Sequence, residues 1–568
     1  MIKPKIKLLE VELDMQMESR RVLSNWMNVA VRIFLGGVPA GVFIQLVFNL
    51  KKYPLWVFSD PAYPYLYNGV VIIQGGVPGH TDHPGTSLQW ISGIVSKLTH
   101  VLRDNGSSLS EDVVAHSELY LRASGVILSV FFCLSLGALG FRMLKYMGAS
   151  AAVSVVVLIG AGFRFWNPQI FILSPESLVI TTSTLIVALL VPSLVDLSRQ
   201  STTANLIFVG VLLAIGLTSK VILIPILLTL PFIFQLRQLA VVMISLVTSS
   251  ALILAPVYSR LYPMYIWFTG IATKSSRYGE GPSVDWSIFE NLGRARWRIT
   301  ENSPQLMISF AAVLVLVVVF FVIQNKAQTG ILGARHWQPS AGLLVAIIAT
   351  FAMGYKPSVE RDFVLLVVLI PTFVSVTIYN LEIFLLRGHY LTSKKLFSVS
   401  LIILTVLSST QTILAMRNQS LNIKEIRQSY QVVMTELTNI EADSWIVYSY
   451  GIPSLSNASF FGNSWSDRSF DNELDKTFPR YMELDIWNKT IYGSDQNKLG
   501  IELDCLIINE RLQSLKMFIL INEGNLKAYW PQFSGDLELS LGSLDLVSLG
   551  KSKSGGLLFE VRNCTPNF

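Results

Sequence analysis

The chain is poor in charge and nearly free of cysteine. Asp, Glu, Lys and Arg make up 14% of 568 residues, where a water-soluble protein carries about 25%. That deficit excludes disorder and argues against an ordinary cytosolic enzyme. Three cysteines are too few for a disulfide scaffold of this length, and no CxxC metal pair occurs. No Walker A segment, GxGxxG fingerprint or GxSxG elbow is present, so nothing marks a nucleotide site or a serine hydrolase. No internal repeat of the kind transporters carry is visible either. The net charge is +6, but the basic residues are scattered among apolar runs and form no stripe for nucleic acid.

Apolar residues fill the space that charge leaves, at 51% of the chain. A membrane span needs about 20 mostly apolar residues. Eleven such runs are predicted, at 27–50, 118–140, 148–163, 174–193, 205–218, 222–235, 240–257, 305–324, 339–354, 363–386 and 396–416. With the N-terminus inside, the cytoplasmic connections hold 14 Lys and Arg in 71 residues, and the outer ones hold 14 in 135. That bias sets the orientation. It predicts a cytoplasmic segment 1–26, a membrane module 27–416 with long outer loops 51–117 and 258–304, and an extracytoplasmic α/β domain 417–568.

The first outer loop has apolar residues at helical spacing, among them Leu88, Ile91, Val95 and Leu98, which predicts amphipathic helices along the outer membrane surface. Trp56, Trp90, Trp267, Trp286 and Trp297 fall in outer loops, as interfacial aromatics do. In the C-terminal part, 422–440 reads as a helix. Trp445–Tyr450, Leu503–Ile508, Met517–Ile521, Leu537–Leu541 and Leu557–Val561 read as strands. Cys505 and Cys564 either pair outside the cytoplasm or stay as separate thiols, and Cys133 belongs to an apolar core. Asn-x-Ser/Thr sequons begin at Asn105, Asn418, Asn457, Asn488 and Asn563, all on outer segments.

Several outer residues could carry chemistry. Asp60 opens the first outer loop before Pro61. In an apolar, partly closed setting it would serve as a general base; Asp before Pro also starts turns. His80, Asp82 and His83 lie within four residues. They suit a divalent metal, with Asp60 completing the set of Asp60, Asp82 and His83, or a polar turn whose Pro84 opens a helix over 85–100. Lys220, between two apolar segments, is either functional or a snorkelling side chain. Snorkelling also accounts for Arg122 and Arg164. Lys356 and Arg361 form a charged outer turn, and Arg277 with Tyr278 lies in the second long loop. Cations gathered at the outer surface suit a lipid phosphate.

Taken in order, these pieces resemble a family. Asp60 is followed by Asp82-His83-Pro84-Gly85, Leu121-Arg122, Ser174-Pro175-Glu176, Gly216-Leu217-Thr218-Ser219-Lys220, and Lys356 with Arg361 ahead of Leu369-Ile370-Pro371. Over roughly residues 27–390 the chain is similar to the C-type (GT-C) membrane glycosyltransferases, the group of aminoarabinose transferases and protein O-mannosyltransferases. It departs where Gly85 stands for a second proline, Pro61 for a second acid, and Asp362-Phe363 for the residues after the motif arginine. The resemblance implies a polytopic GT-C fold and an inverting transfer from a polyprenyl-phosphate-linked sugar to a hydroxyl of a lipid, protein or glycan. Asp60 would be the base. Lys220, Lys356, Arg361 and Arg277 would surround the donor phosphate, Tyr278 would bind substrate, and Asp82 and His83 would position the acceptor or hold a metal. The setting would be a bacterial plasma membrane. A transporter or lipid-sugar flippase is the alternative for a chain with so many spans.

Overall fold

The computed structural model describes residues 29–51, 54–81, 85–165, 172–197, 201–274, 311, 314, 315, 318, 338–353, 363–387, 444–449, 455–478, 481–485, 490–492, 499–500, 516–522, 544–551 and 556–564. In chain order its main helices begin with α1 (Val29–Lys51), α2 (Ser59–Ile73), α3 (Thr86–Arg103), α4 (Leu109–Ala115) and α5 (Ser117–Met147). Next come α6 (Ala149–Phe165), α7 (Pro175–Val195), α8 (Thr203–Ser219), α9 (Leu236–Ile253) and α10 (Leu261–Thr273). The last are α11 (Gln338–Met353), α12 (Leu366–Arg387), α13 (Leu455–Ser464) and α14 (Asp471–Thr477).

Among the described residues, four helices are long and apolar enough to cross a membrane: α1, α5, α7 and α9. The shorter helices α6, α8, α11 and the first part of α12 are also apolar. Each coincides with a predicted run. Those at 305–324 and 396–416 lie outside the described residues, apart from 311, 314, 315 and 318. The run predicted at 222–235 is broken into short helical pieces over Val221–Ile233, because Pro225 and Pro231 each start a new piece. The run predicted from 240 starts earlier, at Leu236, where Gln235 and Gln238 form a capping box.

The α3 helix has its polarity reversed. It buries Thr86, Ser87, Gln89, Ser92 and Ser96 against the protein and exposes Ile94, Leu98, Val101 and Leu102. Leu88 and Val95, whose spacing predicted a helix along the membrane surface, are buried in the protein core, and so is Trp56. A helix that turns apolar side chains outward is suited to an apolar exterior.

The C-terminal part contributes a seven-stranded sheet in the order β4-β3-β2-β1-β5-β7-β6. Its strands are β1 (Ser444–Ser449), β2 (Tyr481–Asp485), β3 (Thr490–Tyr492), β4 (Leu499–Gly500), β5 (Lys516–Asn522), β6 (Leu544–Lys551) and β7 (Gly556–Cys564). β2, β1 and β5 are parallel, and the remaining pairs are antiparallel. The expected helix 422–440 and strands 503–508 and 537–541 lie outside the described residues, as does Cys505. A parallel pair needs a long crossover, and between β1 and β2 that crossover carries α13 and α14. Neither helix was anticipated in the sequence. They do not lie apart: Ala458, Phe460, Phe470 and Leu474 belong to the same buried cluster as the membrane helices. Asn457, in one of the sequons, is 4% exposed and is no glycan site in this fold.

Candidate functional site

The site is framed by α2 and α3. A Cβ on Gly69 would lie 2.7 Å from the Gln89 carbonyl oxygen, and one on Gly93 would lie 2.2 Å from that of Gly69. Only hydrogen at both positions lets the backbones approach this closely. Farther toward the helix starts, Tyr65 meets Gly85, whose Cβ would sit 2.2 Å from the Tyr65 ring. These contacts advance in step along both helices, so α2 and α3 run in the same sense. Their N-termini, at Asp60 and Gly85, share one end of the pair.

Two further chain segments are joined to the start of α3. The Gly85 N–H donates to the Ser219 carbonyl at 3.2 Å, and Ser87 Oγ donates to the Ile215 carbonyl at 2.8 Å. These tie the start of α3 to the end of α8. Ser219 Oγ donates to the Pro175 carbonyl at 3.1 Å, which brings in the start of α7. Lys220 Nζ then donates to Glu176 Oε1 at 2.7 Å, with both side chains buried. Lys220 does not snorkel: its ammonium turns inward to a carboxylate. The role of Glu176 was missed. Its signal was an acid in a long apolar run facing a lone lysine in another.

Asp60 stands at the mouth of α2. Its φ of −96° and ψ of 117° are non-helical, as expected for a residue held extended by a following proline. Its side chain is exposed, whereas residues 61–72 behind it are buried. Nearby, Leu55 N donates to Glu118 Oε1 at 2.6 Å. Arg122 donates to the Leu50 carbonyl and lies 3.5 Å from Glu118. Arg122 therefore caps the exit of α1, and the snorkelling expectation for it is corrected. Burial, followed by the Glu118 charge, pushes the Tyr63 hydroxyl well above the usual range.

The back of α2 holds the β1–β2 crossover. Asn68 Nδ2 donates to the carbonyls of Pro64 at 2.7 Å and Trp465 at 3.0 Å, and to Ser466 Oγ at 3.1 Å. Its Oδ1 accepts from His80 N at 3.2 Å. His80 packs edge-on against both Tyr65 and Trp465, and Tyr67 lies 4.7 Å from Phe470 between ring centroids. Two ion pairs flank these contacts, Arg260 with Asp467 and Lys476 with Glu111. Burial opposes ionisation of Asp112, but hydrogen bonds from Tyr120, His100, Asn105 and Arg103 hold its carboxyl down at about 2. The Lys476 bond and the Ser108 cap similarly hold Glu111 at about 2.

Of the residues singled out in the sequence, Asp60, His80, Arg122 and Lys220 lie within the described structure. Asp82, His83, Arg277, Tyr278, Lys356, Arg361 and the side chain of Arg164 lie outside it. Among the described residues, no group of three His, Cys, Asp or Glu side chains could hold a metal.

No family model and no curated protein matches the chain. Solved structures do. ArnT from Cupriavidus metallidurans bound to undecaprenyl phosphate is similar over 92% of this chain and 97% of that one, at 9% identity and a TM-score of 0.41. The apo state of the same enzyme covers the same shares at 10% identity and a TM-score of 0.43. The archaeal oligosaccharyltransferase AglB from Archaeoglobus fulgidus, in complex with an inhibitory peptide and a dolichol-phosphate, is similar over 92% of this chain and 74% of that one. Its identity is 14% and its TM-score 0.43.

Proposed function

We propose that the chain is an integral membrane glycosyltransferase that moves a sugar from a polyprenyl-phosphate-linked donor to an acceptor hydroxyl on the extracytoplasmic side. One observation carries the reading. Segments that follow one another in the family-like order, at Gly85, Pro175-Glu176 and Ser219-Lys220, are bonded together at one end of the bundle. Asp60 and Gly85 head two helices that run side by side. In this reading Asp60 takes the proton from the acceptor hydroxyl. The oxygen attacks the anomeric carbon from the face opposite the phosphate, and the polyprenyl phosphate leaves with the bonding pair. The result is inversion.

Lys220, Lys356, Arg361 and Arg277 surround the phosphate, and Tyr278 binds substrate. Asp82 and His83 orient the acceptor or hold a divalent metal. Stabilising the leaving phosphate away from water is worth several kcal/mol, and a positioned base adds about 10²–10⁴-fold. The N-terminus lies in the cytoplasm and residues 417–568 lie outside, in a bacterial plasma membrane.

The test is reconstitution of the full chain in vesicles with polyprenyl-phosphate sugars. Sugar transfer is expected, and Asp60→Asn should lower it by about 10²-fold or more with unchanged elution and melting. Lipid movement across the vesicle without transfer would mark a flippase instead. Full activity in a folded Asp60→Asn protein would remove the base assignment.

A further inference from the structure

The Glu176–Lys220 pair is expensive for a membrane protein. The nitrogen–oxygen distance is 2.7 Å, and the side chains are 2% and 8% exposed respectively. Withdrawing two charges from water costs roughly what their attraction returns, so an apolar pair of equal volume would stabilise the fold as well or better. Intramembrane charges that persist usually mark a pathway or a site. The position of this pair is telling. Pro175, one residue before Glu176, accepts from Ser219 Oγ, one residue before Lys220. The Ser219 carbonyl in turn holds the Gly85 N–H at the head of α3. The pair thus lies directly beside the backbone contacts that join α3, α7 and α8.

Lysine is a compact charge on a flexible four-carbon stem. Buried alone, an ammonium is disfavoured against the neutral amine, and a neutral amine is a poor partner for a phosphate. A carboxylate in contact removes both problems, because it favours the charged form and fixes the stem. Glu176 is suited to this. It is in the first turn of α7, next to the helix-starting Pro175, on a helix whose neighbouring residues are buried, so its own position is firmly set.

We propose that Glu176 is a positioning residue: it keeps Lys220 charged and aimed at the phosphate of the lipid-linked donor, and it acts only through Lys220. This rests on the transferase reading above.

The test is a double-variant cycle on the full-length protein in detergent. Binding of a polyprenyl monophosphate is measured for the wild type, Glu176→Gln, Glu176→Asp, Lys220→Met and Glu176→Gln/Lys220→Met. Unphosphorylated polyprenol and inorganic phosphate serve as parallel probes. Glu176→Gln should weaken monophosphate binding by about tenfold, and Glu176→Asp should recover part of the loss. The double variant should bind no worse than Lys220→Met alone, since coupled residues are not additive. Inorganic phosphate should compete in the wild type and not in Lys220→Met. In transfer assays Glu176→Gln should raise the donor KM more than it lowers kcat. Unchanged or tighter binding by Glu176→Gln would make Glu176 a bystander or a competitor of the phosphate, and losses that multiply in the double variant would show independent action; either overturns the proposal. Should Glu176→Gln fail to fold, the Glu176→Asp cycle is read in the same way. Polyprenol binding as tight as the monophosphate would overturn both this proposal and the phosphate reading. Wild-type transfer with an additive cycle would overturn the proposal alone.

Discussion

Gly85 is the residue on which the frame of the site turns. Its φ of 61° is left-handed, and a Cβ there would enter the Tyr65 ring. Gly85→Ala should therefore cost at least the roughly 1–2 kcal/mol of the left-handed backbone, read as a lower melting temperature. The family-like pattern has a proline at this position; the left-handed φ explains why this chain does not. Asp112 gives a second residue-scale prediction. Its folded carboxyl titrates at about 2, below the ordinary 3.8. Its stabilisation is complete above pH 3.8 and is lost as pH falls toward 2, because the unfolded chain takes up the proton first. Asp112→Asn should melt below the wild type at pH 6, with the gap narrowing between pH 4 and 2. A gap that stays constant over that range would contradict the assignment. Asp60 and Lys220 stood out in the sequence because charge is rare there. Asp112 did not, since an acid in a polar loop looks like any solvated side chain until its four hydrogen-bond partners are assembled.

At the scale of elements, the junction between α2 and the β1–β2 crossover depends on Asn68. Its amide is fully buried and serves Pro64, Trp465, Ser466 and His80 at once. Asn68→Ala leaves several of those groups without a partner, at about 1–3 kcal/mol each. Hydrogen exchange over residues 455–478 should quicken, while β5 and β7 keep their protection. The flanking Lys476–Glu111 pair is exposed, and breaking it should leave the melting temperature nearly unchanged. Helix positions were largely legible, because hydrophobic periodicity and capping residues act locally. The breaks at Pro225 and Pro231 and the early start of α9 follow from local rules too. The docking of α13 and α14 was not legible. It joins residues nearly four hundred positions apart, and nothing in the local pattern of 455–478 names its partner.

For the molecule as a whole, α3 carries an exposed apolar face that should lie in lipid. Leu102 is 87% exposed, with Leu98 and Val101 beside it. Leu102→Trp should be quenched by brominated lipid chains in vesicles, whereas a tryptophan at Ser107, in the exposed turn beyond α3, should not. Quenching at both sites, or at neither, would contradict a helix that lies with one face in lipid. The sequence anticipated an amphipathic helix along the membrane surface here, but not that Leu88 and Val95 would be buried in the protein. Its periodicity fixes that a helix has two faces, not which face meets protein when both are partly apolar. The crossover on α2 has one more consequence, and it concerns time. Asn68 bonds to a residue 397 positions later in the chain. At about 5–20 residues per second of synthesis, that residue emerges on the order of 20–80 s after Asn68. Throughout that interval the rear of α2 stands bare in the nascent protein. A ribosome stalled before residue 455 would leave a chain with the rear of α2 uncovered, open to proteases and quality control.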